Sequence, residues 1–232
     1  MAITLFELQG QNDLRFSPYC WRSRMALAHK GLDARFEPVQ FGQKDKIAFS
    51  NQKLVPVLVD GETVINDSWA IACYLDDTYP DQPSLFGGAA GRGLAHALNF
   101  WVDMAVHPAL AKAIMADVHD HAVDPADQPY FRETREARFG MSLEAFCTRS
   151  EADIEALHSV LAPVAATLET QPFLCGDAPA YGDYILFGSV KWTAAASPRA
   201  VFPTGGPFGA WRERMFDLFD GYARGTGAAS AA

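Results

Sequence analysis

Strand-like patterns in this chain stop near residue 80, and this boundary constrains the fold more than any other feature. From Ile3 onward the patterns read strand, helix, strand, short helix, strand, strand, helix. A segment rich in proline and glycine, residues 81–92, follows, and the remainder is rich in Ala, Leu and aromatic residues at helical spacing. The sequence therefore predicts an α/β domain over residues 1–82 and an all-α domain over residues 90–225.

Composition and charge exclude several classes of protein. With 232 residues, 49% of them hydrophobic, the chain can bury one large core or two modest ones, so it is neither disordered nor fibrous. A formal net charge of −9 makes nucleic acid and membrane surfaces unexpected partners. Charges interrupt every apolar run before the roughly 18 to 20 residues that span a bilayer, and Met1 leads directly into a strand-like segment. We expect no membrane span and no signal peptide.

The cysteines and histidines do not form a metal-binding pattern. The four cysteines lie far apart, which argues against zinc and disulfides and favours the reducing cytoplasm. A short run of imidazoles and carboxylates does invite a metal interpretation: His119, Asp120, His121, Asp124 and Asp127. Residues two apart on a helix point to nearly opposite sides, so we expect a solvated acidic turn near a pocket mouth and no metal.

Turn and cap residues mark the ends of several elements. Ser17 followed by Pro18 has the pattern of a helix N-cap and first residue, and Gly31 stands where a C-terminal glycine ends such a helix. Asp60 followed by Gly61 predicts a tight hairpin between two short strands. Local chemistry therefore positions the first helix and the hairpin.

The helical half also contains residues that predict where its helices begin and end. Apolar residues recur at three- and four-residue steps over 154–168, and Pro163 should kink or divide that helix. Residues 197–209 are typical of a loop, residues 211–219 resume helical spacing, and the small residues of 225–232 predict a disordered tail.

Three segments of the first 80 residues resemble one protein family. The run FSPYCWRSRMALAHKG, the pair Val55-Pro56 and the segment NDSW resemble the thioredoxin-like domain of glutathione S-transferases. Within that superfamily, SPYCWRSRMALAHKG, residues 117–140 and the run WRERMFDLFDG resemble bacterial β-etherases, which cleave aryl ethers, and related fungal-type enzymes. The resemblance implies a thioredoxin-like domain followed by an all-helical domain, glutathione as co-substrate and a homodimer.

Ser17 occupies the position where this superfamily places its activating Ser or Cys. A thiol with a pKa of about 8.5 is mostly protonated at neutral pH, and each unit of lowering requires about 1.4 kcal/mol of preferential stabilisation of the anion. A hydroxyl donor together with the positive end of a helix could supply roughly one to two units. The alternatives are that Ser17 only caps the helix, a role compatible with the first, or that backbone groups activate the thiol.

The resemblance also implies how glutathione is held. Pro56 would be a cis proline, and Val55 before it would pair its backbone with the cysteinyl part of glutathione. At the next helix N-terminus, Ser68 would bind the γ-glutamyl carboxylate and Asp67 the ammonium group. From the local pattern alone, the same residues are a strand-initiating proline and a plain helix cap.

Two further candidates, both lysines, come with the same resemblance. Lys53, and less directly Lys44, could pair with the glycyl carboxylate of glutathione, although a surface lysine is usually only solvated.

Cys20 could be interpreted as a nucleophile one turn into the first helix. We expect instead a small buried residue, because thiol-transfer members resemble this sequence with Cys at the Ser17 position.

The helical half supplies the remaining candidates. Four apolar residues would flank the electrophile in this family, although each is also typical of a core: Trp101, Met104, Met115 and Trp192. Ala180 stands three residues before Asp183, where the family usually has Ser or Thr. Half of a capping box is therefore missing, while Asp183 can still reach the backbone.

These observations predict a cytoplasmic glutathione transferase without a metal or redox cofactor. Its thiolate would attack an apolar aromatic electrophile, with aryl ether cleavage as the specific reaction, in detoxification or aromatic compound catabolism. Two alternatives stay open, namely a catalytically silent glutathione-binding or regulatory protein and a glutathione-dependent isomerase of a maleyl-type acid. The isomerase needs cations for a diacid, and the helical half offers Arg132, Arg135, Arg138 and Lys191.

Overall fold

A four-stranded mixed sheet forms the first part of the computed structural model, which describes residues 3–225. The strands are β1 Ile3–Leu8, β2 Ala34–Val39, β3 Val57–Asp60 and β4 Thr63–Asn66. Their order is β2-β1-β3-β4, with β1 and β2 parallel and the other neighbours antiparallel. Two helices, α1 Pro18–His29 and α2 Ser68–Thr78, complete this part. The predicted α/β architecture is confirmed.

The rest of the described chain is helical, as predicted. Its helices are α3 Ala89–Trp101, α4 His107–His121, α5 Gln128–Phe139, α6 Leu143–Phe146, α7 Glu151–Val160, α8 Ala162–Leu168, α9 Tyr181–Ala196 and α10 Gly206–Gly221. A π-helical turn, Val102–Val106, joins α3 to α4. Short 3-10 segments lie at Gln11–Asp13, Lys44–Ser50 and Tyr222–Arg224. Within residues 3–225, no helix has the length and apolarity needed to cross a membrane.

The residues that the sequence predicts to begin, end or divide elements have these roles in the structure. Ser17 is the N-cap of α1, and Gly31 beyond its C-terminal end has φ +63°. Gly61 has φ +60° in the hairpin between β3 and β4, a left-handed conformation that suits glycine. Pro163 lies in the first turn of α8, so the helical segment that contains it is divided from α7 at Leu161.

Close contact between α1 and α9 joins the two parts. A Cβ placed on Gly188 would lie 2.4 Å from the carbonyl oxygen of Pro18, so only glycine allows this approach. The Nε of Arg22 donates to the carbonyl of Ile185 at 3.3 Å. The first turn of α1, where Ser17 sits, is therefore positioned by the helical part.

Asp183 makes the remaining half of the capping box and adds longer-range bonds. Its carboxylate accepts from the backbone of Ala180 at 3.2 Å and of Leu174 at 2.7 Å, and from the indole of Trp211 at 2.9 Å. The start of α9 is consequently tied to α10 as well as to its own cap.

The C-terminal segment differs from the prediction. Helix α10 begins at Gly206 within the expected loop 197–209, because Pro207 fits the first turn of a helix, where no backbone donor is needed. Helical geometry is already lost at Leu218, with ψ 145°, before the expected end of the 211–219 helix. Residues 226–232 of the predicted disordered tail lie outside the described residues.

Candidate functional site

Two cavities meet beside the first turn of α1. The larger, about 570 Å³, extends along the loops before β3 and after β4, and we call it the polar cavity. The smaller, about 400 Å³, lies between α1, α4 and α5, and we call it the apolar cavity. Seven residues line both cavities: Leu8, Ser17, Tyr19, Phe41, Asp103, Arg135 and Arg138.

Ser17 lies at the border between the two cavities. It is 6% exposed, and its Oγ accepts a hydrogen bond from the backbone N–H of Cys20 at 3.3 Å. The hydroxyl thus caps α1 and also interacts with the thiol of Cys20, and its own hydrogen can be donated to an anion in either cavity. A hydroxyl donor and the N-terminus of α1 therefore lie at the same point of the cavity wall.

Cys20 is buried, as expected. Its Sγ accepts from the backbone N–H of Leu8 at 3.5 Å, and burial raises the pKa of the thiol to about 12. A thiol with this pKa stays protonated at neutral pH and is not a nucleophile.

The loop before β3 and the 3-10 segment that precedes it contribute four predicted residues to the wall of the polar cavity. The Val55–Pro56 peptide bond is cis, as the resemblance implies, and both residues line the cavity. Lys53 and Lys44 line it as well, and the Nζ of Lys44 donates to the hydroxyl of Tyr130. Val55, Pro56 and the two lysines therefore surround one space.

Asp67 and Ser68 have different positions relative to the polar cavity. Asp67 lines it, has φ +75°, and caps α2 by accepting from Trp69 at 2.8 Å and Ala70 at 3.2 Å. Ser68 is only 1% exposed and is not among the described lining residues, and its carbonyl accepts from the hydroxyl of Tyr181 at 2.7 Å. The structure therefore brings Asp67, but not Ser68, to the cavity surface.

The apolar cavity uses only half of the predicted electrophile-flanking residues. Met115 and Trp192 line it, whereas Trp101 and Met104 do not. Met104 is 76% exposed, because the π-helical turn that contains it directs this side chain to the protein surface. The additional walls come from aromatic residues that the sequence did not single out for this function: Phe16, Phe41, Phe131, Phe139 and Phe146.

Three hydrogen-bonded side chains, those of Tyr19, His107 and Ser189, extend inward from the border of the cavities and were not predicted from the sequence. The hydroxyl of Tyr19 lies 3.2 Å from Nδ1 of His107, whose Nε2 lies 2.9 Å from the hydroxyl of Ser189. Burial, and next Asp103, raise the pKa of Tyr19, so its phenol is protonated at neutral pH. Burial, and next Arg22, lower the pKa of His107 to about 3, so its imidazole is neutral.

The imidazole and carboxylate run at 119–127 is not simply a solvated acidic turn. Asp127 is 8% exposed and accepts from the backbone N–H groups of Phe41 and Gly42, each at 3.0 Å. Asp120 pairs with Arg149 at 2.5 Å. The sequence pattern placed Asp127 in a solvated turn, because the backbone groups that it binds lie on a loop far away in the sequence. No cluster of possible metal ligands occurs among residues 3–225.

The fold and site together define a thioredoxin-like domain with an all-helical extension and a shared cleft. Two domain models match the chain, those of the glutathione S-transferase N-terminal domain over residues 13–83 and C-terminal domain over residues 93–200. The chain belongs to the glutathione S-transferase superfamily.

Individual relatives are similar over different lengths. Glutathione S-transferase Z1 of Arabidopsis thaliana is 44% identical over 87 residues, covering 33% of this chain and 39% of the relative. The chain thus spans well under half of that relative's length. Among solved structures, glutathione S-transferase CsGST63524 of Ceriporiopsis subvermispora in complex with glutathione covers 100% of both chains at TM-score 0.85 and 23% identity. Glutathione transferase GSTFuA3 of Phanerochaete chrysosporium covers 100% of this chain and 98% of its own at TM-score 0.77 and 26% identity.

Proposed function

We propose that this protein is a glutathione transferase that activates the glutathione thiol at Ser17 for attack on an aromatic electrophile. The observation that carries the proposal is the place of Ser17, on the border of the polar and apolar cavities at the capped end of α1. Family membership and the glutathione-bound structural neighbour support glutathione as the co-substrate.

Glutathione would occupy the polar cavity. The backbone of Val55 pairs with the cysteinyl part, Asp67 takes the ammonium group, and Lys53 and Lys44 are available to the glycyl carboxylate. Ser68 would contribute from the first turn of α2, where its backbone N–H is at the positive helix end. The sulfur then lies toward Ser17 and the apolar cavity.

Thiolate attack needs an anion that is stable at neutral pH and close to the electrophile. The hydroxyl of Ser17 and the N-terminal N–H groups of α1 stabilise negative charge where it forms, and they are fixed before the reaction. The apolar cavity excludes water from the reacting carbon, which strengthens these interactions. The sulfur–carbon bond forms as the leaving group departs with its electron pair.

Aryl ether cleavage is the specific reaction that we propose. The ring would lie against the apolar walls, and the departing phenolate would accept a proton or hydrogen bond from Tyr19, whose half-buried phenol is protonated at neutral pH. The resemblance of residues 117–140 to etherases supports this choice. We propose a catabolic or detoxifying role in the reducing cytoplasm, which this chemistry and the free cysteines support.

We also propose a homodimer. Six of the eight exposed large apolar side chains in residues 3–225 fall in two parts of the chain: Phe49, Leu54 and Val64 in the sheet part, and Leu94, Phe100 and Met104 on α3 and the π-helical turn. Pairing the first group of one copy with the second group of another would bury both. Sedimentation at micromolar concentration should give twice 25.3 kDa, and a species near 25.3 kDa alone would contradict the proposal.

One set of assays tests the function. Glutathione is offered with a halogenated nitroarene and, separately, with a β-aryl ether, and conjugate formation and phenol release are followed. Conjugation of both supports the full proposal, and conjugation without phenol release leaves a general transferase. Glutathione binding without any turnover would instead indicate a silent binding protein.

A further inference from the structure

Two arginines of α5 line both cavities and have no carboxylate partner among the described residues. Arg135 is half-buried, with its guanidinium carbon 4.3 Å from the ring centroid of Phe131 and 5.3 Å from that of Phe41. Its Nη1 donates to the Oγ1 of Thr134 at 2.9 Å. This one hydrogen bond leaves donors of the guanidinium fork available to the cavity.

Arg138 lies one turn further along α5 and is exposed. No hydrogen bond or ion pair of its side chain occurs within residues 3–225. Burial chiefly lowers the pKa of Arg135; Tyr130 acts against this effect, and the charge of Arg138 acts with it. The two like charges therefore face one space, and neither is paired with a carboxylate among the described residues.

Other charges near the apolar cavity do not neutralise this pair. Asp103 is the only carboxylate among its described lining residues, and it is bound to the buried guanidinium of Arg22 at 2.9 Å. His107 is neutral, as described above. In a chain with a net charge of −9, the apolar cavity thus carries a local positive charge beside its aromatic walls.

A ligand that complements this cavity combines an aromatic ring with one anionic group. We propose that the electrophile is an aromatic compound bearing a carboxylate, which Arg135 and Arg138 bind while the ring lies against Phe131 and its neighbours. The inference rests on the proposed transferase function. The glycyl carboxylate of glutathione has other candidate partners, because Lys44 and Lys53 line the polar cavity but not the apolar one.

A matched pair of electrophiles tests the proposal. One is a chloronitrobenzoate with the chlorine para to the carboxylate, and the other is its methyl ester. In both, the glutathione sulfur bonds to the carbon that bears chlorine, and chloride leaves with the bonding electrons. Dividing each kcat/KM by the uncatalysed rate constant removes the difference in intrinsic reactivity.

Three single substitutions test whether binding of the carboxylate depends on Arg135 and Arg138 or on any positive charge of α5. Arg138→Gln and Arg135→Gln should each lower the acid-to-ester ratio of kcat/KM by about tenfold, with the KM for glutathione unchanged. Arg132→Gln is the control, because Arg132 lies on the same helix, pairs with Glu136 and Glu144, and lines neither cavity. Its ratio should equal that of the wild type. At saturating glutathione, added salt should lower kcat/KM for the acid more than for the ester.

A binding measurement decides the question even without turnover. Calorimetry with the benzoate and its ester should show tighter binding of the benzoate, and Arg138→Gln should remove that preference. Equal acid-to-ester ratios and equal affinities in all proteins would overturn the proposal. An increase in the KM for glutathione with both electrophiles would also overturn it, because the arginines would then belong to the glutathione site. Absence of conjugation with preserved benzoate preference would reject the transferase function alone.

Discussion

The Oγ of Ser17 and the backbone nitrogen of Cys20 are 3.3 Å apart, and the N–H donates to the hydroxyl. This bond fixes the hydroxyl at the first turn of α1 and leaves its hydrogen available to a second acceptor. One side chain can therefore cap the helix and stabilise a thiolate at the border of the cavities. The two contributions can be measured separately.

Ser17→Ala should slow thiol transfer by about 10² to 10³ if the hydroxyl acts like an oxyanion donor, with little change in glutathione affinity. Loss of the cap should also lower the free energy of unfolding by ~1 kcal/mol. Steady-state kinetics and denaturant titration measure the two effects. Ser17→Thr, which keeps a hydroxyl, should retain most of the turnover. Unchanged turnover in the alanine variant across neutral pH would remove Ser17 from the mechanism.

Asp67→Asn should weaken glutathione binding by roughly 1.5 to 3 kcal/mol, because the ammonium group loses a charge-assisted partner. Asparagine keeps an oxygen for the cap of α2 and tolerates the positive φ of 75° at this position, so stability should change little. Isothermal calorimetry tests the affinity. Wild-type affinity in this variant would reject Asp67 as the ammonium partner.

Ser68→Ala tests a different contact from Asp67→Asn, because Ser68 is buried and its side chain does not line the polar cavity. If the hydroxyl reaches the γ-glutamyl carboxylate when glutathione binds, affinity should fall by roughly 1.5 to 3 kcal/mol. The same calorimetric titration measures it. If affinity stays at the wild-type value, only the backbone N–H of this residue can contribute.

Asp127→Ala should destabilise the loop that follows β2. The substitution leaves the N–H groups of Phe41 and Gly42 without their acceptor, at a cost of about 1 to 3 kcal/mol. Because Phe41 lines both cavities, the KM for the electrophile should rise as well. Glu133→Ala, at an exposed position of α5, is the control and should change neither quantity. Equal behaviour of the two variants would contradict this role.

His107 should make the protein less stable in acid. Its pKa is about 3 in the folded protein and about 6.5 when unfolded, so between these values the unfolded chain binds the additional proton. The free energy of unfolding therefore falls as pH decreases from 6.5 toward 3, by at most about 1.4 kcal/mol per pH unit from this group. Denaturant titrations at several pH values should show a shallower dependence in His107→Gln. The same slope in both proteins would be inconsistent with a buried neutral imidazole.

Residues whose functions depend on their immediate neighbours could be predicted from the sequence. Ser17 and Gly31 bound α1, and Asp67 caps α2, because caps and left-handed glycines act within one turn. The change from strand to helical patterns near residue 80 likewise determined the fold class.

Residues whose partners are distant could not be assigned in this way. Asp127 bonds to backbone groups 86 and 85 positions away, and nothing in its local pattern indicates them. Met104 matches a pocket residue by type, yet the π-helical turn exposes it. Tyr19 and His107, 88 positions apart, meet only when α1 packs beside α4.

The pKa of the bound glutathione thiol is the sharpest test of thiol activation at Ser17. The thiolate has an ultraviolet absorption that the thiol lacks, so a pH titration of the binary complex gives the pKa of the bound sulfur. We predict a pKa roughly one to two units below the 8.5 or so of a free thiol, and a pKa nearer to that of the free thiol in Ser17→Ala. A wild-type complex that titrates at the pKa of free glutathione would contradict thiol activation at the end of α1.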